Sequence, residues 1–227
     1  MEVPGLHSPV ETAAVQAMAA RLQDLEWSRV NSIEPVLAIE RPHGIVYQIA
    51  LNPQVKSDRV IFHPHLGLMH LETSGLVAAF ANRQFRGLAG ACSMGAGLSD
   101  LLYDEGVAMA PYTRWTVRSE EGAVREIDAL WSDLQDYGFP YLNSVESLRD
   151  LIERMDSAPK YQELSGHLAV ACALEGLQAE ALDALGEYAA KAHGQQGDIL
   201  NRSRSFVSSF VSHFRIGESI LEYPMGS

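Results

Sequence analysis

Three histidines stand close together in the first third of the chain: His63, His65 and His70. Side chains two apart on a strand share a face, so His63 and His65 could offer two imidazoles to zinc or another borderline metal. His70, His43 or Glu72 could supply a third ligand. Pro64 lies between the first two and would distort such a strand, and no second group of acids and histidines follows at a recognisable spacing. The sequence therefore favours structural or loop histidines, and no cofactor is expected. A second set is Ala91-Cys92-Ser93-Met94-Gly95, which has the outline of a nucleophile elbow with Ser93 as the attacking hydroxyl. An elbow needs a buried strand before the serine and a helix after it. Leu88 to Cys92 is a poor strand, and the histidines that follow, His167, His193 and His213, all lie in a helical region. Cys92 has no basic neighbour in sequence to activate its thiol. The same glycines, Gly87, Gly90, Gly95 and Gly97, fit neither phosphate-binding pattern. They read more simply as a bend-prone strand in tight backbone contact.

The fourth set is acidic. Asp128, Asp133, Asp136 and Tyr137 follow one another on a helix and could form a docking surface, with an aromatic anchor inside a charged rim. The alternative is a plain solvated face. Paired carboxylates for acid–base work would need burial, which nothing in the sequence requires.

The elements that would position these residues fall into two parts. Pro9 to Leu25 has the spacing of an amphipathic helix, with Val15, Met18, Ala19, Leu22 and Leu25 on one side. Short apolar runs follow at 27–31 and 36–39. Residues 45–51 and 59–63 read as an antiparallel hairpin closed by a long loop. A helix over 71–85, capped by Thr73 or Ser74, a short helical turn at 98–103 and a last strand within 107–117 complete this part.

From Glu120 onward only helical spacing is visible. Val124, Ile127, Leu130, Trp131 and Leu134 repeat the offsets of Val145, Leu148, Leu151, Ile152 and Met155. Gly138 with a positive φ and Pro140 should stop the first of these helices. Asn143, boxed with Glu146, or Ser144 should cap the second. Three further helices are predicted from about 159 to 174, 179 to 192 and 199 to 214. The fold class is thus α+β: a small, mostly antiparallel sheet with flanking helices over 1–118, and an antiparallel helical bundle of about five helices over 119–227. The two parts are expected to pack as one unit.

At 227 residues and 47% hydrophobic content a sizeable core can form, and no run approaches the length of a membrane helix. Met1 to Pro9 has no basic and apolar leader. Cys92 and Cys172 have no metal or redox spacing, so a reducing, cytoplasmic setting is expected. The net charge is −12. Residues 1–118 carry 9 Lys/Arg and 11 Asp/Glu, and residues 119–227 carry 8 and 18. This balance speaks against nucleic acid and anionic membranes as partners and suits a basic protein partner.

The run Phe62-His63-Pro64-His65-Leu66-Gly67, a strand ending Tyr112-Thr113-Arg114-Trp115, and a helix running into Tyr137-Gly138-Phe139-Pro140 resemble bacterial proteins of unknown function. Relatives of those proteins include immunity proteins of toxin–antitoxin-type conflict systems. The resemblance covers residues 10–155 and brings no catalytic residues. It implies a cytoplasmic, acidic, non-enzymatic protein that neutralises a toxin by binding it. Separately, the helical hairpin Leu168 to Leu185 resembles a single tetratricopeptide-type unit, without a repeating period. The expectation is a non-catalytic protein-binding protein. The alternative is a hydrolase using Ser93 or a metal on His63, His65 and His70.

Overall fold

The Ser8 hydroxyl accepts the Glu11 N–H at 3.1 Å and caps helix α1 (Pro9–Gln23). The structure is a computed structural model and describes residues 8–31, 34–107, 115–159, 161–192 and 195–216. Helix α1 buries Ala14, Val15, Met18 and Leu22 on one stripe. Leu25, expected on that stripe, is exposed, because the helix stops at Gln23.

Strands β1 (Ser28–Arg29), β2 (Val36–Glu40) and β3 (Ile45–Ala50) are joined antiparallel, with Leu37 opposite Ile49 and Ile39 opposite Tyr47. Strands β4 (Pro53–Val55), β5 (Val60–Phe62) and β8 (Trp115–Val117) make a second, three-stranded antiparallel sheet. The first sheet has the order β1-β2-β3-β6-β7, with β6 at His65–His70 and β7 at Met94–Gly97. The expected hairpin of 45–51 with 59–63 is therefore corrected. Asn52, at φ 43°, turns the chain out of the first sheet, and β5 pairs with β4 through a tight turn closed by Lys56 N–H to Arg59 O at 2.8 Å. The glycine-rich run does contain a close backbone contact: a Cβ on Gly95 would lie 2.4 Å from the Leu66 carbonyl oxygen.

Helices α2 (Leu71–Phe80) and α3 (Leu98–Asp104) flank β7, and α4 (Ala123–Asp133) follows β8. Helix α4 buries Ala123, Ile127 and Leu130, whereas Val124 is 62% exposed. The helix does not stop at Gly138. It widens into a π turn over Leu134–Gly138 and continues as α5 (Phe139–Asn143), with Gly138 at φ −68°. Pro140 has no N–H to give, and it falls in the first turn of α5, where none is needed.

The predicted seam of Val145, Leu148, Leu151, Ile152 and Met155 is buried as expected. Its helix, α6 (Leu148–Ser157), is capped instead by Ser147, boxed with Asp150. Helices α7 (Gln162–Leu174), α8 (Gln178–Lys191) and α9 (Gly197–Phe214) follow. Of the last strand expected within 107–117, Trp115–Val117 forms β8, and residues 108–114, like Lys160 and His193, lie outside the described residues.

The chain forms two compact units, which do not follow a cut at residue 118. The first is residues 1–41, 46–68 and 95–144, and the second is 42–45, 69–94 and 145–227. The first unit holds 8 Lys/Arg and 16 Asp/Glu, net −8, and the second 9 and 13, net −4. Acidity is thus concentrated in the sheet-bearing unit once the chain is folded, although the linear sequence places it in the C-terminal half. In the second unit α7 is buried on every side from Leu164 to Cys172 and packs against α2, α6 and α8. Among the described residues no helix is long and apolar enough to cross a membrane.

Candidate functional site

The histidines do not converge. His65 and His70 bound one strand at an odd separation, so they face opposite sides and stand about 16 Å apart along it. His65 is exposed and His63 half-buried. His70 has a structural role: its Nδ1 accepts the Thr73 N–H at 3.3 Å and lies 2.9 Å from Thr73 Oγ1, which caps α2 in place of Thr73 or Ser74. Burial pushes its pKa down, against the opposing pull of Glu72 and of a hydrogen bond to the His43 carbonyl. With Nδ1 accepting and the His43 carbonyl accepting, the fitting form is the neutral Nε2–H tautomer. No group of three or more His, Cys, Asp or Glu suited to a metal occurs among the described residues. The metal reading of these histidines is corrected accordingly.

Ser93 does meet a histidine. Its Oγ lies 2.9 Å from Nδ1 of His167, 74 residues away on α7. Both are buried, Ser93 at 1% and His167 at 8% exposure. Burial, with the Arg83 charge second, holds the imidazole pKa down at about 4, so the ring is neutral at pH 7. Such a ring is a weak general base near neutrality. Ser93 also precedes strand β7, where an elbow would require it to follow one. The Cys92 thiol is pushed up to about 12 by burial and stays protonated. The arrangement is well suited to satisfying two buried polar groups and poorly suited to acyl transfer.

The acidic candidates separate into different roles. Asp128 pairs with Arg21, whose guanidinium also reaches the Val124 carbonyl at 3.3 Å and lies 5.9 Å from the Trp131 ring centre. Asp133 is corrected from docking surface to interior: it is 7% exposed, and its Oδ2 accepts the Trp115 indole N–H at 2.9 Å. Asp133 is the last residue of α4 and stands three residues after Leu130, so it shares the inward stripe of Ala123, Ile127 and Leu130. Asp136 is exposed and accepts from Ser132 Oγ at 3.3 Å, and Tyr137 is half-buried. The four do not form one patch.

Two cavities replace them. In the first unit an open groove of about 470 Å³ is lined by Asp24, Glu26, Trp27, Arg41, Tyr47 and Phe139, among others. The turn that ends helix α1 builds its rim. The Trp27 N–H returns to the Leu22 carbonyl at 3.1 Å and the Glu26 N–H to the Gln23 carbonyl at 3.0 Å, which closes the helix end. That closure needs a left-handed residue, and Glu26 fills it at φ 67°, where glycine is usual. Trp27 and Phe139 stand 6.2 Å apart, and Phe139 meets Trp131 edge-on at 5.8 Å. Arg41 leans on Tyr47 at 5.8 Å and sets one cation against two carboxylates.

In the second unit a narrower pocket of about 300 Å³ lies among α2, α7, α8 and α9. The sequence reading missed both cavities. A glycine in the middle of α7, Gly166, was the one available signal, since such a residue costs about 1 kcal/mol against alanine unless packing requires it. Comparison of the chain with protein-family models, with curated proteins and with solved structures finds no match.

Proposed function

We propose that the protein is a non-catalytic protein-binding protein, immunity-like in acting by occupation of a basic partner, and that the groove of the first unit receives a basic segment of that partner. The observation that carries this reading is the groove itself: three aromatic rings and two carboxylates line it beside a single arginine, in a unit of net charge −8. Aromatic faces and carboxylates together suit a lysine or arginine side chain, whose stem packs on the rings while its charge meets the acids. The wider negative field would speed encounter and make it salt-sensitive.

The test is co-purification from the native host, followed by titration of the captured partner. A basic partner is expected, with affinity that falls as salt rises. The double variant Asp24→Asn/Glu26→Gln should weaken it about tenfold or more. Absence of any captured protein, or an affinity indifferent to both salt and the double variant, would overturn the proposal.

A serine hydrolase is the second reading, carried only by the 2.9 Å contact of Ser93 with His167 and opposed by the burial of both groups. A fluorophosphonate probe decides it. Labelling of Ser93, with ester turnover lost in Ser93→Ala, would sustain that reading, and an unlabelled serine would end it.

A further inference from the structure

We propose that the four-helix pocket of the second unit is a binding site for a small organic anion, a carboxylate or a phosphate monoester carried on an apolar body. The proposal is independent of the groove and rests on different residues. The pocket has an apolar floor and wall, formed by Val77, Ala81, Gly166, Tyr188, Ile199 and Phe206. Tyr188 and Phe206 lie with ring centres 4.3 Å apart. A Cβ on Gly166 would come within 3.1 Å of the Tyr188 ring and 3.3 Å of Phe206, so the glycine lets α7 sit directly on these rings. The floor is therefore closely packed before any ligand arrives.

Its polar side is also fixed. Ser203 Oγ accepts from Gln162 Nε2 at 2.9 Å and donates to the Ile199 carbonyl at 3.0 Å. The Gln162 Oε1 accepts from Gln195 Nε2 at 2.8 Å, which sets the amide's orientation. The Tyr188 hydroxyl bonds to Ser203, and burial raises its pKa, so it remains a neutral phenol.

Two cations complete the lining. Arg83 follows the end of α2 and Arg202 lies on α9, so two separate segments bring guanidinium groups to one pocket. Neither forms an ion pair with another described residue. The Arg83 charge is felt at both His167 and Tyr188, which places it close to the packed interior. Glu163 is the single carboxylate of the lining, leaving a net charge of +1 in a unit whose total is −4. Planar guanidinium forks match carboxylate and phosphate oxygens, and the rings below match an apolar body. A volume of about 300 Å³ is at the small end for ligand pockets and suits a compact molecule.

The experiment is calorimetric titration of the whole chain with three probes: phenyl phosphate, benzoate and inorganic phosphate. Phenyl phosphate or benzoate should bind with a Kd of about 1 mM or tighter, and inorganic phosphate at least about tenfold more weakly, because it cannot use the floor. The stronger of the two organic probes identifies the headgroup, and either ranking supports the site. Arg83→Gln/Arg202→Gln should weaken the organic probe about tenfold or more, while Glu163→Gln should tighten it severalfold. All three side chains are exposed, so the variants should melt with the parent protein. The proposal is overturned if neither organic probe binds below about 10 mM, if the arginine variant binds as the parent does, or if inorganic phosphate binds as tightly as phenyl phosphate.

Discussion

The two units bury polar groups in opposite ways. The first unit takes a carboxylate inside, where Asp133 accepts the Trp115 indole N–H, and opens a groove with acids on its rim. The second takes a neutral pair inside, Ser93 with His167, and leaves arginines at the mouth of its pocket. A charged acceptor forms a strong hydrogen bond but leaves a costly orphan if its donor or acceptor is removed. A neutral pair is cheaper to bury, yet it fixes one protonation state and so makes its surroundings sensitive to acid. The difference means that mutation should expose the weakness of the first unit, and mild acid that of the second.

The largest expected effect concerns His167. Its folded pKa of about 4 lies below the unfolded value of 6.5. Above about pH 6.5 both states are neutral and the full stability is present. Below that, the unfolded chain takes up a proton that the folded chain refuses. Stability should therefore fall between about pH 6.5 and pH 4, by about 3 kcal/mol in total. His70 is shifted the same way and adds to the fall. Asp58 and Asp150, whose pKa values are lowered, act in more acid solution. Urea unfolding measured across this window should show the slope, and His167→Gln should flatten it. An unchanged slope in that variant would remove His167 as the acid-sensitive group and, with it, the contrast between the units.

Next comes Asp133→Ala, which leaves the buried Trp115 N–H without this acceptor. A loss of about 2–3 kcal/mol is expected, read from the shift in denaturation midpoint. Ser93→Ala should cost less, about 1 kcal/mol, because His167 stays neutral. Equal losses would mean that the buried carboxylate is no more exacting than the neutral pair. Trp131→Ala belongs between them. Full burial would give 3–5 kcal/mol, but Trp131 is half-buried, against Phe139 and beneath Arg21, so about 2 kcal/mol is expected.

What the sequence made legible was local and periodic. The stripe of Val145, Leu148, Leu151, Ile152 and Met155, the broad face of α9 with Phe206, Val207, Phe210 and Val211, and the α+β arrangement all follow from spacing. Where one residue departs from the period, the reading slips. The π turn carried the chain through Gly138 and Pro140, and α4 turned Val124 outward. Caps were harder, because the boxes of Ser147 with Asp150 and Asn143 with Glu146 look alike until one is formed. The approach of Ser93 to His167 joins residues 74 apart, and no local pattern encodes it. Arg83 and Arg202, and the rings of the groove, come together only through packing, so the cavities were invisible at the level of motifs.

The smallest stability effect carries the most information about function. Glu26 holds the left-handed position that closes α1, at φ 67°, with an exposed side chain on the rim of the groove. Glycine adopts that conformation without a Cβ penalty, so Glu26→Gly should raise stability by about 0.5–1 kcal/mol, visible as a higher melting temperature. The same change removes one of the two carboxylates that offset Arg41. If the groove receives a basic segment, Glu26→Gly should bind the partner several-fold more weakly while melting higher. Asp24→Asn, outside the strained position, should weaken binding without that gain in stability. Higher stability with unchanged binding would leave Glu26 as a helix terminator alone. Weaker binding at higher stability would separate the two roles in a single residue, because loss of the fold could not then account for loss of the partner.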